Sequence, residues 1–380
     1  MIFFVLLFLL YYIIMPKVGI LKIIAGNSNG VASLPKNGPA LKSGLNFPIG
    51  IAIDKIGNIY VADCKNNVVE KLSPKINGKY ESVVIAGSIK GIAGLPTPGP
   101  ALQSLLTTPC GIEVDSYFNV YVADTDNNII VKLTPKCGGT YILSIIAGSP
   151  KGIAGLPTPG PAKKSLLNCP NSIAIDSFDN LYIADYKNNI IEKLTPKCGG
   201  TYILSIIAGS PKGIAGLPTP GPAKKSLLNL PAGVAVDQYN NVYIADCGNN
   251  IVEKLTPKTD GNYRLSIIAG SPKGIAGLPT PGPAKKSLLN APNGVAVDQY
   301  NNVYIADGKN NIIEKLTLTK DYSYMLSIIA GNRNGNKGLA TNGPARKSLL
   351  NCPEDVAADM FGNIYVTDGL NNIIEKITFG

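Results

Sequence analysis

The chain has 380 residues, a net charge of +10 from 35 Lys+Arg against 25 Asp+Glu, 41 Gly, 29 Pro, seven Cys, and neither His nor Trp. Without histidine, His-ligated zinc, imidazole general bases and Ser-His-Asp triads are excluded. Abundant Gly and Pro beside an aliphatic surplus suit many short strands punctuated by turns, and the basic surplus would attract anionic partners in general without bearing on fold.

Residues 1–15, MIFFVLLFLLYYIIM, form an uninterrupted apolar run that Pro16 and Lys17 stop. An α-helix of that length rises about 22 Å against a hydrocarbon layer of roughly 30 Å, so the run reads as a signal-peptide core or a short anchor. No basic residue precedes it and no small-x-small cleavage site follows, which favours a retained membrane tether on an exported or membrane-anchored protein. Translation from Met15 would instead leave the protein cytoplasmic. Residues 1–19 are accordingly set apart as a leader from a single domain over 20–380.

From there a 61-residue unit runs through the chain in six copies with no insertion or deletion. The aspartate closing a Tyr-x-Ala/Thr-Asp stretch falls at Asp63, Asp124, Asp185, Asp246, Asp307 and Asp368, and a second series falls at Asp54, Asp115, Asp176, Asp237, Asp298 and Asp359. Ile-Ala-Gly keeps the same step from Gly26 to Gly331. A period of this size marks a solenoid or a propeller.

In the unit over 202–262, strands are expected at 202–208, 233–237, 241–246 and 251–256, each bounded by turn residues. The last three are joined by turns short enough for antiparallel hairpins, so each unit supplies a three-strand meander and a fourth, outer strand. The connection over 209–231 is too rich in Pro and Gly for a continuous helix or strand. It leaves room for one helical turn over 223–229, with Leu227 and Leu228 tucked against the blade edge. Residues 20–26 form an outer strand ahead of the first meander, and 373–378 form the last inner-meander strand of the sixth. Pairing the two would close a ring and leave no open sheet edge. The expected fold is therefore all-β, a monomeric six-bladed propeller of four-stranded antiparallel blades.

The residues Pro231-Ala232-Gly233-Val234-Ala235-Val236-Asp237, then 241–246 (NVYIAD) and Asn249-Asn250-Ile251, resemble the NHL repeat, and the resemblance covers nearly all of 20–380. It implies a propeller fold but no single function, because such propellers include RNA-binding and protein-binding platforms, sensor ectodomains and lyase or lactonase relatives. The chain departs from the motif in having Ile or Val where an arginine is usual, as at Ile190 and Ile251, and Asn in place of a glycine at Asn240.

Both aspartate series are read as structural, accepting backbone N–H groups at the turns they precede. The Tyr60, Tyr121, Tyr182, Tyr243, Tyr304 and Tyr365 series is read as inter-blade packing. The cysteines share repeat positions, follow no CxxC spacing and are expected to be mostly free, buried or half-buried thiols. The long connections and the Asn-Asn turns should share one face. Lys163, Lys164, Lys224, Lys225, Lys285, Lys286, Arg346 and Lys347, with Lys151, Lys212 and Lys273, are expected to form a basic ring there, beside a shallow mouth. Such a ring would hold a protein or a polyanion. Lysines without exposed aromatics among these loops suit RNA less well.

Breaks in the repeat point to the hub. Glu113 stands where the other units have Ala, Glu354 and Asp355 open the sixth meander, and Asn171 and Asn293 occupy the position matching Glu354. By resemblance to lactonase-like propellers, these oxygens imply a Ca²⁺-dependent hydrolase as an alternative. Against it, KGIAGLPTPGPA occurs four times verbatim, at 90–101, 151–162, 212–223 and 273–284. Barely diverged blades suit multivalent binding better than an asymmetric active site. The preferred expectation is a non-enzymatic interaction scaffold without cofactor; the alternatives are the Ca²⁺ hydrolase and an RNA-binding propeller.

Overall fold

The computed structural model describes residues 18–379, so the apolar run at 1–15 lies outside the described residues. Six antiparallel sheets stand around one axis. In the fourth blade the inner strand is Pro231–Val236, followed outward by Val242–Asp246, Ile251–Pro257 and Tyr263–Ala269. The expected meander and outer strand are all present, with one correction. Each blade has five strands, because the connection contributes a two-residue strand, Gly221–Pro222 here, on the outer edge. Only an edge position tolerates this pair. Proline has no N–H for a ladder, and Gly221 sits at φ +146°, where a side chain would be strained. A single 3-10 turn over Ala223–Lys225 follows, and Leu228 is fully buried as expected.

The core lies between the blades. Ala174, Tyr182 and Ala184 of the third blade, for example, pack against Val234, Val242 and Ile244 of the fourth. The tyrosine series crosses these seams: Tyr121 meets Tyr202 of the next blade at 3.5 Å, and Tyr182 meets Tyr263 at 3.3 Å.

The termini close the ring as expected. Gly19–Gly26 runs antiparallel to Ile373–Phe379, pairing Ile20 with Thr378 and Gly26 with Ile373. Side chains latch the same seam. Asn372 accepts the Phe47 N–H at 2.8 Å and donates to the Gly30 carbonyl at 2.8 Å, and the Thr367 hydroxyl donates to the Ile49 carbonyl at 2.6 Å.

The two aspartate series organise the two ends of each blade. Asp237 accepts the N–H groups of Tyr239 and Asn241 at 2.9 Å and the hydroxyl of Tyr243 at 3.0 Å, fixing the hairpin after the inner strand. Asp246 accepts the Asn229 N–H at 2.9 Å and the Asn249 amide at 2.7 Å, fixing the Asn-Asn turn at the other end. The second asparagine ties blades together: Asn250, at φ 55°, accepts the Ala291 N–H at 2.9 Å and donates to the Gly274 carbonyl at 3.0 Å. Asn250→Ala removes two hydrogen bonds and places a Cβ without a local partner in the left-handed region. We expect a loss of about 2–4 kcal/mol, read as a lower denaturation midpoint; an unchanged midpoint would show that the turn holds without it.

Candidate functional site

Asn249 also donates to the Gly216 carbonyl of the long connection at 2.8 Å. The Asn-Asn turns and the first half of each connection therefore share a face, as expected, and Lys212, beside Gly213, belongs to it. The lysine pairs do not. After leaving this face, each connection runs down the outer edge of its blade, pairing Gly221 with Leu265 and Pro222 with Arg264, before Lys224 and Lys225 are reached. The pairs Lys163–Lys164, Lys224–Lys225, Lys285–Lys286 and Arg346–Lys347 are exposed, each in the turn that follows an edge strand, so the basic ring lies on the perimeter and not around the mouth. The physical reason is that the edge strand commits the connection to the rim.

On the fourth blade these residues line a groove of about 410 Å³ with Lys258, Asp260, Asn262, Tyr263 and Arg264. Four cationic side chains face one carboxylate, and that carboxylate, Asp260, is 3.8 Å from Lys258 across an exposed pair. The corresponding strand position carries Glu81, Ile142, Ile203 and Met325 in other blades, so Arg264 makes this groove more basic than its equivalents. In the first blade Glu81 instead neutralises Lys75 at 2.7 Å.

At the hub, the inner strands approach so closely that a Cβ on Gly233 would sit 2.6 Å from the Asn293 carbonyl oxygen. Above this constriction, Asn171, Asn293, Glu354 and Asp355 line a crevice of about 10 Å³. Below it, Glu113 and Asp355 line a cavity of about 140 Å³ whose walls are otherwise aliphatic apart from Ser172. Burial pushes Glu113, Glu354 and Asp355 each up to about 7; Asp355 adds repulsion at Glu113, and Glu354 adds it at Asp355.

Five of the six carboxylate oxygens already accept hydrogen bonds. Asp355 accepts the N–H groups of Val356 at 2.8 Å and Ile51 at 3.2 Å, and Glu354 accepts the Asn293 amide at 3.1 Å and the Cys352 thiol at 3.1 Å. Asn171 turns its amide to the Ala232 carbonyl at 2.8 Å, and Glu113 accepts the Val114 N–H at 2.9 Å. Ca²⁺ needs six to eight oxygens at about 2.3–2.6 Å. The five residues do not form such a shell, and among the described residues no group of three or more acidic or thiol side chains is placed to hold a metal ion.

The thiols are free, as expected, but Cys137 and Cys198 are exposed on hairpins. Cys64 and Cys110, at non-equivalent repeat positions, are buried against one another across the first and second blades. Their equivalents in the fourth and fifth blades are Cys247 and Asn293, 3.7 Å apart.

Sequence reasoning missed a set of buried acid pairs. Glu70, Glu192, Glu253, Glu314 and Glu375 on the third strands are fully buried and face Asp63, Asp185, Asp246, Asp307 and Asp368. The available signal was a glutamate recurring inside an otherwise apolar strand start in five of six units, with Val131 in its place in the second. Desolvation raises both members of each pair, and among the described residues no cation forms an ion pair with them, so burial favours the protonated form of each pair.

A family model described as the NHL repeat matches residues 45–71 and 228–254. Among curated relatives, the chain is similar to the chloroplastic protein Suppressor of quenching 1 of Arabidopsis thaliana, 26% identical over 83% of this chain and 28% of that protein. It is also similar to Teneurin-1 of Mus musculus, 24% identical over 92% of this chain and 13% of that protein. The chain thus spans less than a third of either relative's length. Among solved structures, an auxiliary nutrient binding protein from Bacteroides ovatus superposes with a TM-score of 0.66 at 16% identity, over 96% of this chain and 77% of that one. With the described ring of blades, these matches lead to one conclusion: the chain carries NHL repeats, and it carries them as the blades of a six-bladed β-propeller.

Proposed function

We propose that this propeller is a non-enzymatic interaction scaffold that binds an anionic partner, an acidic protein surface or another polyanion, through its basic perimeter. The observation that carries the reading is the fourth-blade groove, where Lys224, Lys225, Lys258 and Arg264 converge with one exposed carboxylate to oppose them. Exposed cations of this kind supply long-range attraction and salt-sensitive affinity. The near-verbatim connections repeat a weaker version of the patch around the rim, which suits an extended partner engaged at several points. RNA fits less well, since the exposed aromatic series that could stack bases lies on the inner hairpins and not among these lysines. The apolar run at 1–15 would tether the protein to, or direct it across, a membrane. Among the described residues no helix is long and apolar enough to cross one.

Titration with a fluorescent heparin oligosaccharide tests this. Affinity should fall at least tenfold between 50 and 250 mM salt, and a comparable loss should follow Lys224→Glu with Lys225→Glu and Arg264→Glu. Salt-independent binding, or binding that survives charge reversal, would overturn it.

A further inference from the structure

The face opposite the Asn-Asn turns carries a second, unrelated surface. Each inner strand crosses the ring and ends in the hairpin that the Asp54 series fixes. Two residues after that aspartate stands a large apolar side chain in every unit: Ile56, Tyr117, Phe178, Tyr239, Tyr300 and Phe361. All six are strongly exposed, from 62% at Tyr239 to 82% at Phe361. Six large apolar side chains at one repeat position, around the same axial opening, amount to more than the scattered exposure any surface shows.

The turns that carry them are fixed. The aspartate of each turn accepts the N–H of the exposed residue itself, at 2.9 Å for Tyr117, Phe178, Tyr239, Tyr300 and Phe361 and 3.0 Å for Ile56. Neighbouring turns are also tied together: Lys55 donates to the Ser116 carbonyl at 3.1 Å, Gln238 to that of Gln299 at 3.4 Å, and Gln299 to that of Met360 at 3.0 Å. Little backbone ordering cost would remain on binding.

The chemistry between the rings selects the ligand. Counting the three residues after each aspartate, the six tips hold one cation, Lys55, and one anion, Asp179, so the tips themselves carry no net charge in a protein of charge +10. A nucleic acid platform joins stacking rings to a positively charged groove, and among the tips Lys55 alone supplies a cation. A protein interface gathers its aromatics into one continuous apolar centre. Here they are spaced one per turn, with Ser116, Ser177, Gln238, Gln299, Asn240 and Asn301 beside them. Rings on fixed turns, flanked by neutral donors and acceptors, suit the C–H face and hydroxyls of an uncharged sugar, and equal anchors at a fixed step suit a polymer of like units. We infer that the inner-hairpin face binds a neutral polysaccharide, its sugars stacking on Tyr117, Phe178, Tyr239, Tyr300 and Phe361.

Calorimetric titration of the full chain with glucomannan, cellohexaose, chitohexaose and maltohexaose tests the inference, with polyuridylate as the nucleic acid arm and sedimentation as the self-association arm. At least one neutral glycan should bind. Tyr239→Ala with Tyr300→Ala should weaken that binding at least tenfold while leaving the thermal melt in place, since both rings are mostly in solvent. Lys224→Glu with Lys225→Glu should leave it within twofold, which separates this face from the basic perimeter. Binding of none of the four glycans, or undiminished binding by the tyrosine variant, would overturn the inference. So would polyuridylate binding, or a dimer, that the tyrosine changes abolish in the absence of glycan binding.

Discussion

Removal of residues 1–26 should lower the melting temperature by at least about 10 °C, or prevent folding, whereas removal of residues 1–14 should leave the melt unchanged. The longer deletion takes away Gly19–Gly26, whose Leu21, Ile24 and Ala25 are buried and whose backbone completes the ladder of Ile373–Phe379. It also uncovers Ile373 and Ile377, both fully buried. At roughly 1.5–3 kcal/mol for each large side chain, the loss takes much of the about 5–15 kcal/mol by which domains are stable. An open ladder edge is left as well. Differential scanning calorimetry of the two truncations decides the matter. Equal melting temperatures would mean that the seam contributes nothing to the ring.

The second large effect is on pH. Burial raises Asp185, Asp246, Asp307 and Asp368 from the ordinary aspartate range to about 7, each beside a glutamate that is raised further by burial and by the aspartate's charge. A carboxyl whose value is higher folded than unfolded contributes stability that is complete below the unfolded value and lost as pH rises through the folded one. Stability should therefore fall as pH rises from about 4 through about 7, where the aspartates ionise, and go on falling until the still higher glutamates have ionised, by up to roughly 1.4 kcal/mol per unit for each raised group. Glu253→Gln supplies an amide that donates to Asp246 without a proton from solvent. It should raise the midpoint of chemical denaturation at pH 8 relative to the parent and have little effect at pH 5. A midpoint that climbs from pH 5 to pH 8, or a Gln variant that shifts it equally at both, would show that burial does not hold the pairs protonated.

The ring, the blade count and the terminal latch were legible because the period is strict: an unbroken 61-residue step fixes the strand order, and the outer strand at 20–26 can only complete the meander ending at 378. The fifth strand was not, since Gly221–Pro222 becomes a strand only where a neighbouring edge offers Leu265 and Arg264. That same pairing moved Lys224 and Lys225 to the perimeter, a displacement no periodicity could reveal. Glu253 escaped notice because a charged residue in a strand pattern reads as a solvent-facing position; only the sheet geometry turns it onto Asp246. The exposed ring at Tyr239 and its equivalents was present in the sequence as a fixed offset from an aspartate. Burial, the deciding property, belongs to the folded ring.

The phenol contacts between blades have one gap. Tyr60, Tyr121, Tyr182, Tyr243 and Tyr365 each face a tyrosine of the next outer strand. The position facing Tyr304 is Gly19, with Phe379 crowding the space a side chain would need. The buckle of this belt is thus fastened by backbone pairing and aliphatic packing at a junction that forgoes the polar contact its five counterparts share. Thermal breathing of the closed belt should start where its two loose ends overlap, on the outer wall of the sixth blade, and the hub should feel it last.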